Sequence, residues 1–174
     1  RKGLTGDNPS VGCVIVKKGE IISIGQTGYG GRPHAEHNAI SNCFEDPKDS
    51  KMYITLEPCN HYGKTPPCTK NIIKNQIREV YYPIEDIDLK VKGKSSLILE
   101  NINIKTKKGL LRKEALNLYN SYYINRKKKL PYVIGKIALS KNKIIYSDTT
   151  KKISNEMSDK SVSYTHLRAH ETVS

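Results

Sequence analysis

Hydrophobic and polar residues alternate in short runs along this chain, and the spacing of the hydrophobic residues switches between two patterns. Runs rich in β-branched residues or tyrosine are typical of strands, and they occur at residues 11–17, 21–25, 52–56, 79–82 and 102–105. Helical spacing and helix-start residues favour helices at residues 34–43, 68–75 and 110–124. Because strands alternate with helices, the pattern predicts an α/β fold built on a layered sheet.

Residues between these runs predict the turns. Lys18-Gly19 is expected to join the first two strands as a hairpin. Pro33 suits the first turn of a helix, and Thr65, which precedes a proline, matches a helix N-cap. Residues 86–95 are expected to form a loop. The last helix is expected to bury a stripe made of Leu111, Ala115, Leu118 and Tyr122.

Length and composition bound the class of protein. The 174 residues can hold one domain and a piece of a second, and a hydrophobic content of 36% suffices for a single core. No apolar run approaches the ~20 residues that span a bilayer, and the chain does not open on a signal segment. We therefore expect a soluble, cytoplasmic protein without a membrane partner.

The net charge of +13 raises the question of a nucleic-acid partner. The lysines are scattered, and residues 126–129 form the one continuous basic run. Lys, Ile and Asn share A/T-rich codons, so a biased genome accounts for the excess, and we do not expect nucleic-acid binding. A basic surface would still attract an anionic, phosphorylated substrate.

One imidazole, two thiols and a carboxylate carry the candidate chemistry. His34, Cys59 and Cys68 are donors that suit zinc, and three protein ligands leave the fourth position open, as in catalytic zinc sites. His-x-Glu followed by Pro-Cys…Cys is the signature of zinc deaminases, in which the Glu is the general acid/base. We expect Glu36 to take a proton from water and pass it to a ring nitrogen and to departing ammonia. Cys13 is expected to be a buried apolar side chain.

The spacing within this motif narrows the class. Eight residues separate Cys59 from Cys68, whereas nucleic-acid and nucleoside deaminases typically place two residues there. The insert, Asn-His-Tyr-Gly-Lys-Thr-Pro-Pro at residues 60–67, resembles the matching segment of the bifunctional riboflavin-biosynthesis deaminase/reductase family. The resemblance covers residues 3–160. Its other matching segments are residues 8–16, 30–36 and 130–133.

The resemblance implies a fold, a reaction and a set of site residues. The fold is the three-layer α/β/α sandwich of cytidine deaminases. The reaction is hydrolytic deamination of 2,5-diamino-6-ribosylamino-4(3H)-pyrimidinone 5′-phosphate, with one Zn²⁺ at the motif described above. Asn8 and His61 would line the substrate pocket, and Lys64 would contact the ribose phosphate. Thr65 would be a further substrate contact, although it could also be only a helix cap.

The resemblance also divides the chain into segments. Residues 1–112 would form a deaminase domain without its N-terminal helix, and residues 113–129 a connecting helix and linker. Residues 130–160 would be the truncated start of a reductase domain, too short to bind a dinucleotide, so NADPH would bind only the full-length parent. Two residues would remain from that cofactor site, Lys136 and Ser140. Residues 161–174 resemble the in-frame translation of a sequencing-library adapter, and we interpret them as foreign to the natural protein.

Two other functions fit part of the pattern. A deaminase of cytidine, deoxycytidylate or tRNA adenosine would share the motif, but the eight-residue gap argues against it. A non-catalytic, zinc-stabilised binding module would need a fourth protein ligand, for which Cys13 and His61 are the plausible donors. An open coordination position would therefore separate an enzyme from such a module. The sequence leaves the oligomeric state open, a homo-oligomer included.

Overall fold

A five-stranded mixed sheet forms the centre of the structure. The computed structural model describes residues 3–89 and 91–133. The strands are β1 (Gly12–Lys17), β2 (Glu20–Gln26), β3 (Lys51–Ile54), β4 (Glu79–Tyr82) and β5 (Lys105–Lys108). Their order across the sheet is β2-β1-β3-β4-β5. β1 is antiparallel to β2 and β3, whereas β3, β4 and β5 run parallel.

Helices provide the connections that a parallel sheet requires. They are α1 (Ala35–Ser41), α2 (Cys68–Lys74), α3 (Lys94–Glu100) and α4 (Arg112–Lys128), and a 3-10 turn lies at Tyr29–Gly31. α2 links β3 to β4, and α3 links β4 to β5. This arrangement confirms the predicted α/β fold class. Among the described helices, none combines the length and the apolar character of a membrane span.

The hydrophobic core lies between one face of the sheet and the first three helices. Alternate strand residues point into it, as the two-residue period of a strand requires. Its strand members are Cys13, Ile15, Ile22, Met52, Ile54, Val80 and Tyr82, and its helix members include Ala35, Ala39, Ile72 and Leu99. Gly25 allows α1 to approach β2 closely, because a Cβ there would overlap the backbone of Ala35 and Ala39. Cys13 is 1% exposed, which confirms its predicted burial.

α4 packs beyond the end of β3 and forms a second, smaller cluster. The cluster consists of Leu56, Ile84, Ala115 and Tyr119. The Tyr119 hydroxyl pairs with Thr55 Oγ1 at 2.6 Å and donates to the Ser10 carbonyl at 3.2 Å. This helix, which the sequence predicted to be a connection, is therefore hydrogen-bonded to the segment before β1 and to the segment after β3.

Three local predictions differ from the structure. The segment 86–95, predicted to be a loop, runs into α3, a helix that was not predicted. The first turn of α3 contains Ser95 and Ser96, and serine is a weak helix former. Both serines are buried and bonded through their hydroxyls, Ser95 to the Pro58 carbonyl at 2.6 Å and Ser96 to the Gly93 carbonyl at 3.3 Å. The long-range hydrogen bond of Ser95 therefore stabilises a helix that local propensity does not indicate.

The last strand and the last helix are also displaced from their predicted positions. β5 begins at Lys105, three residues after the predicted start, because this edge strand is polar and is defined by backbone pairing with β4. In α4, Leu111 and Leu118 are 64% and 38% exposed, so the predicted stripe was wrong at both positions. Tyr119 is buried in their place, since its ring fills the second cluster while its hydroxyl finds two partners. The predicted hairpin at Lys18-Gly19 is confirmed.

The chain divides into two units, residues 1–132 and residues 133–174. The first unit contains the sheet and the four helices that the structure describes. Apart from Val133, the second unit lies outside the described residues, and so do Lys136, Ser140 and the segment 161–174.

Candidate metal centre and active-site pocket

The three predicted metal ligands converge on one point. His34 Nδ1, Cys59 Sγ and Cys68 Sγ all lie within 4.8 Å of one another. His34 Nδ1 is 3.3 Å from Cys68 Sγ and 3.5 Å from Cys59 Sγ. With Zn–N near 2.0–2.1 Å and Zn–S near 2.3 Å, tetrahedral zinc requires an N···S separation of about 3.5 Å. The donor types and their spacing therefore fit a zinc ion.

Adjacent elements hold these ligands in place. His34 is the N-cap of α1 and Cys68 is the first residue of α2, so both lie at helix starts. Cys59 lies in the loop that leads into α2, and it accepts a hydrogen bond from the Cys68 backbone N–H at 3.3 Å. The Thr69 N–H donates to the Cys59 carbonyl at 3.1 Å. The loop and the helix start thus form one rigid ligand-bearing unit.

The electrostatics of the two thiols favour a bound cation. Hydrogen bonds from the Cys68 thiol and from His34 lower the pKa of Cys59 to about 4, against the opposing effect of burial. The neighbouring Cys59 and burial raise the pKa of Cys68 above its ordinary value. One thiolate forms readily and the second does not, because two adjacent anions repel each other. A metal cation between them removes that repulsion, and thiolate is the ligating form.

Glu36 lies beside this cluster without belonging to it. It is the second residue of α1 and is 4% exposed. Burial first, and the charge of Cys59 second, raise the pKa of its carboxyl to about 7. Among the described His, Cys, Asp and Glu residues, the group that could hold a metal ion consists of His34, Cys59 and Cys68. Glu36 is not part of this group and therefore remains available for proton transfer. A group whose pKa lies near the working pH suits general acid/base chemistry.

The same grouping bears on the binding-module alternative. Neither Cys13 nor His61, the two donors that could close a structural site, joins the cluster of three among the described residues. Cys13 is buried in the sheet as part of the core. Among the described residues the cluster thus supplies three protein donors, the number typical of catalytic zinc sites, and His34 and Cys59 line a cavity.

A cavity of about 170 Å³ opens next to the cluster. Asn8 and His61, the two predicted pocket residues, both line it. Asn8 is held in place because its side-chain amide donates to the Gly31 carbonyl at 3.1 Å. The Nδ1 atom of His61 is buried and has no hydrogen-bond partner in the described part of the chain. The remaining lining residues include Pro9, Val11, Thr27, Arg32, Glu57, Asp86, Asp88, Val91, Tyr122 and Arg126.

Lys64 and Thr65 lie at the tip of the loop between the cysteines, and both are exposed. Thr65 is not a helix cap, contrary to that prediction, because the N-cap of α2 is Pro67. Its hydroxyl instead accepts a hydrogen bond from Arg32 Nη1. Thr65 and Arg32 also line a second cavity, of about 470 Å³, on the outer side of the cluster.

The sequence analysis missed one wall of the pocket, which the loop before α3 supplies. Glu57 orders this loop: its Oε2 accepts the N–H groups of Asp86 and Gly93 at 3.1 and 3.0 Å, and its Oε1 accepts that of Ser95 at 3.2 Å. Tyr122, from α4, donates its hydroxyl to Asp86 Oδ1 at 3.2 Å. Glu57 directly precedes the Pro-Cys of the motif, and this adjacency was the one available sequence signal.

Comparisons with known proteins define the class first. The sequence model of the family described as "Cytidine and deoxycytidylate deaminase zinc-binding region" matches residues 1–84. A solved structure of the diaminohydroxyphosphoribosylaminopyrimidine deaminase/5-amino-6-(5-phosphoribosylamino)uracil reductase of Thermotoga maritima superposes with a TM-score of 0.81 at 34% identity. It covers 93% of this chain and 48% of that one. The fold and the cluster therefore place the chain in the zinc-dependent, cytidine deaminase-like class.

Relatives in sequence define the family. The diaminohydroxyphosphoribosylamino-pyrimidine deaminase of Buchnera aphidicola (subspecies Schizaphis graminum) is 42% identical over 127 residues, which are 73% of this chain and 86% of that protein. The chain belongs to this deaminase family of riboflavin biosynthesis. The riboflavin biosynthesis protein RibD of Bacillus amyloliquefaciens is also 42% identical, over 139 residues. The chain spans only 38% of that longer protein.

Proposed function

We propose that this chain catalyses the hydrolytic deamination of 2,5-diamino-6-ribosylamino-4(3H)-pyrimidinone 5′-phosphate, which yields the corresponding 5-aminouracil derivative and ammonia. The observation that carries the proposal is the open three-donor cluster with a buried carboxyl beside it. The names of the relatives in sequence and structure support this substrate.

His34, Cys59 and Cys68 would hold the zinc ion, which when bound acidifies water to a pKa of about 7 and polarises it for attack. Glu36 takes the proton from the attacking water, and the oxygen adds to the amidine-like ring carbon that bears the amino group. Glu36 delivers that proton to the ring nitrogen, then takes the second proton from the added hydroxyl and gives it to the amino group, so that the C–N bond breaks, ammonia departs and the carbonyl forms. Its burial keeps bulk water from competing for the proton.

Asn8 and His61 bind and orient the pyrimidine in this proposal. Asn8 is fixed by Gly31, whose positive φ of 91° brings the backbone of that loop close to the Asn8 side chain. His61 contributes a buried nitrogen that has no partner within the described residues, and such an atom is costly unless a ligand satisfies it. Lys64 is assigned to the ribose phosphate, and its exposed position leaves it free to reach an anion at the pocket mouth.

Replacement of Glu36 tests the proposal. We expect Glu36→Gln to retain one zinc per chain and to lose deamination by a factor of about 10²–10⁴ or more, the usual contribution of general acid/base catalysis. Ammonia release and metal content would be measured together. Glu20→Gln, an exposed carboxyl in β2, is the matched control and should change neither. Normal turnover by Glu36→Gln would refute the assigned role.

The rival deaminases differ in substrate rather than in chemistry. Substrate profiling with cytidine, deoxycytidylate and adenosine in tRNA would detect them, and we expect no turnover of any of the three. The eight-residue loop between the cysteines supports this expectation, since it contributes His61 to the lining of the active-site cavity and carries the exposed Lys64.

Properties of the longer protein are further proposals. We infer that a full-length parent also reduces the ribose chain with NADPH, in line with the longer relatives that this chain partly covers. We place the enzyme in the cytoplasm. The four cysteines are free thiols, which fits a reducing compartment.

A further inference from the structure

Arg32 occupies a position that neither the motif nor the mechanism explains. It lies two residues before His34 and lines both cavities that flank the metal cluster. Its Nη1 donates to Thr65 Oγ1, and its Nη2 lies close to Gly63, so the guanidinium spans the tip of the inter-cysteine loop. Arg32 takes part in none of the ion pairs between described residues. Its hydrogen-bond partner among these residues is Thr65, which is neutral.

Charge is distributed unevenly around the active-site cavity. The carboxyls of Asp86 and Asp88 lie on the wall formed by the loop before α3, where a phosphate would be repelled. Glu36 and Glu57 line the same cavity. Its second arginine, Arg126, donates to the Asp7 carbonyl at 3.1 Å and lies 5.6 Å from the ring of Tyr122, whose hydroxyl donates to Asp86. Of these two arginines, Arg32 is the one that also lines the outer cavity.

The outer cavity, in contrast, has a basic lining. Lys70 and Lys74 line it together with Arg32 and His37, and its lining residues include no Asp or Glu. Lys70 is positioned by the Tyr62 hydroxyl at 2.5 Å and lies 4.8 Å from the centre of that ring. An anionic group in the outer cavity would therefore meet Arg32 together with Lys70 and Lys74.

We propose that Arg32 is a specificity-determining residue that binds the phosphate of the substrate at the boundary between the two cavities. This inference rests on the proposed deaminase function and adds a residue to it. A guanidinium presents a planar fork of donors that matches phosphate geometry. With one Nη group on Thr65, the other guanidinium donors have no hydrogen-bond partner among the described residues, and Lys64 on the same loop as Thr65 is exposed.

The test compares two substrates that differ only in the phosphate. With the phosphorylated diaminopyrimidinone, Arg32→Ala should raise KM about 10- to 100-fold, as expected for the loss of a hydrogen bond between charged groups. With the phosphate-free ribosylamino compound, KM and kcat should match those of the wild type. Arg32→Lys, which keeps the charge but not the fork, should give an intermediate KM. The matched control is Arg112→Ala, at the start of α4 and remote from the cluster. It should leave KM unchanged for both substrates.

A binding measurement separates this proposal from the deaminase function. Isothermal titration with ribose 5-phosphate should show binding to the wild type and to Arg112→Ala, with a clear loss for Arg32→Ala. If the wild type turned over neither substrate but still bound ribose 5-phosphate through Arg32, the deaminase assignment would fail and the anion site would stand. Three results would overturn the role of Arg32. The first is an equal rise in KM for both substrates in Arg32→Ala, and the second is binding of ribose 5-phosphate by Arg32→Ala as tight as that of the wild type. The third result is a rise in KM for the phosphorylated substrate alone in Arg126→Ala instead of in Arg32→Ala.

Discussion

Replacement of Glu57 by Gln should disconnect the pocket wall from the metal loop. The carboxylate accepts three backbone N–H groups, two at Oε2 and one at Oε1. A Gln side chain can place its carbonyl oxygen where Oε2 lies and keep two of these bonds. Its amide nitrogen then faces the Ser95 N–H, donor against donor, so one bond is lost and a buried donor is left without a partner.

The magnitude follows from these contacts. An unsatisfied buried N–H costs about 1–3 kcal/mol. The two retained bonds change from charge-assisted to neutral, and neutral bonds are about half as strong. Burial raises the pKa of Glu57 while its backbone donors lower it, so removal of a costly buried charge offsets part of the loss. We therefore expect the free energy of unfolding to fall by about 2–4 kcal/mol.

Two assays and one control test this reasoning. Urea unfolding gives the global change, and hydrogen exchange at the Asp86, Gly93 and Ser95 amides reports the local one. The control is Glu85→Gln, which removes the exposed ion pair with Lys108 at 2.9 Å and should cost at most about 1 kcal/mol. If Glu57→Gln were no more destabilising than Glu85→Gln, or if the three amides kept their protection, the carboxylate would not be what orders this loop.

Two further substitutions probe the scaffold of the site. Gly25→Ala should destabilise the protein by about 1–3 kcal/mol or more, because the new methyl group meets the backbone of α1, which cannot move aside. The control is Gly12→Ala, whose methyl group would meet only Thr55 Cγ2 at 3.7 Å. Equal melting temperatures for the two variants would contradict the steric argument. Tyr119→Phe should lower the free energy of unfolding by about 1–2 kcal/mol, because the hydrogen bonds to Thr55 and Ser10 are lost. The control is Tyr132→Phe, which changes an exposed ring and should leave the stability unchanged. An unchanged stability of Tyr119→Phe would show that packing alone holds α4.

The sequence predicted the elements whose hydrophobic pattern is local. β1 to β4, α1 and α2 are all recognisable from alternation or from helix-start residues, and the three metal ligands come from a motif that encodes its own geometry. β5 and α3 could not be located this way. The strand Lys-Thr-Lys-Lys carries no apolar alternation, and Ser95 of α3 is stabilised by the carbonyl of Pro58, which no short window contains.

The same limit applies to the active-site cavity. Asn8 and His61 were accessible because they lie in segments that resemble a known family, and the structure places both in the cavity. Glu57 and Asp86 were not accessible, because their roles depend on hydrogen bonds across 29 residues of sequence. Arg32 is a third kind of case: it lies inside a recognised segment, but its proposed role rests on its place between two cavities and on its having no ion-pair partner among the described residues. A missing partner leaves no mark in a sequence, so surplus charge at a site must be identified in three dimensions and then tested by the ligand that would neutralise it.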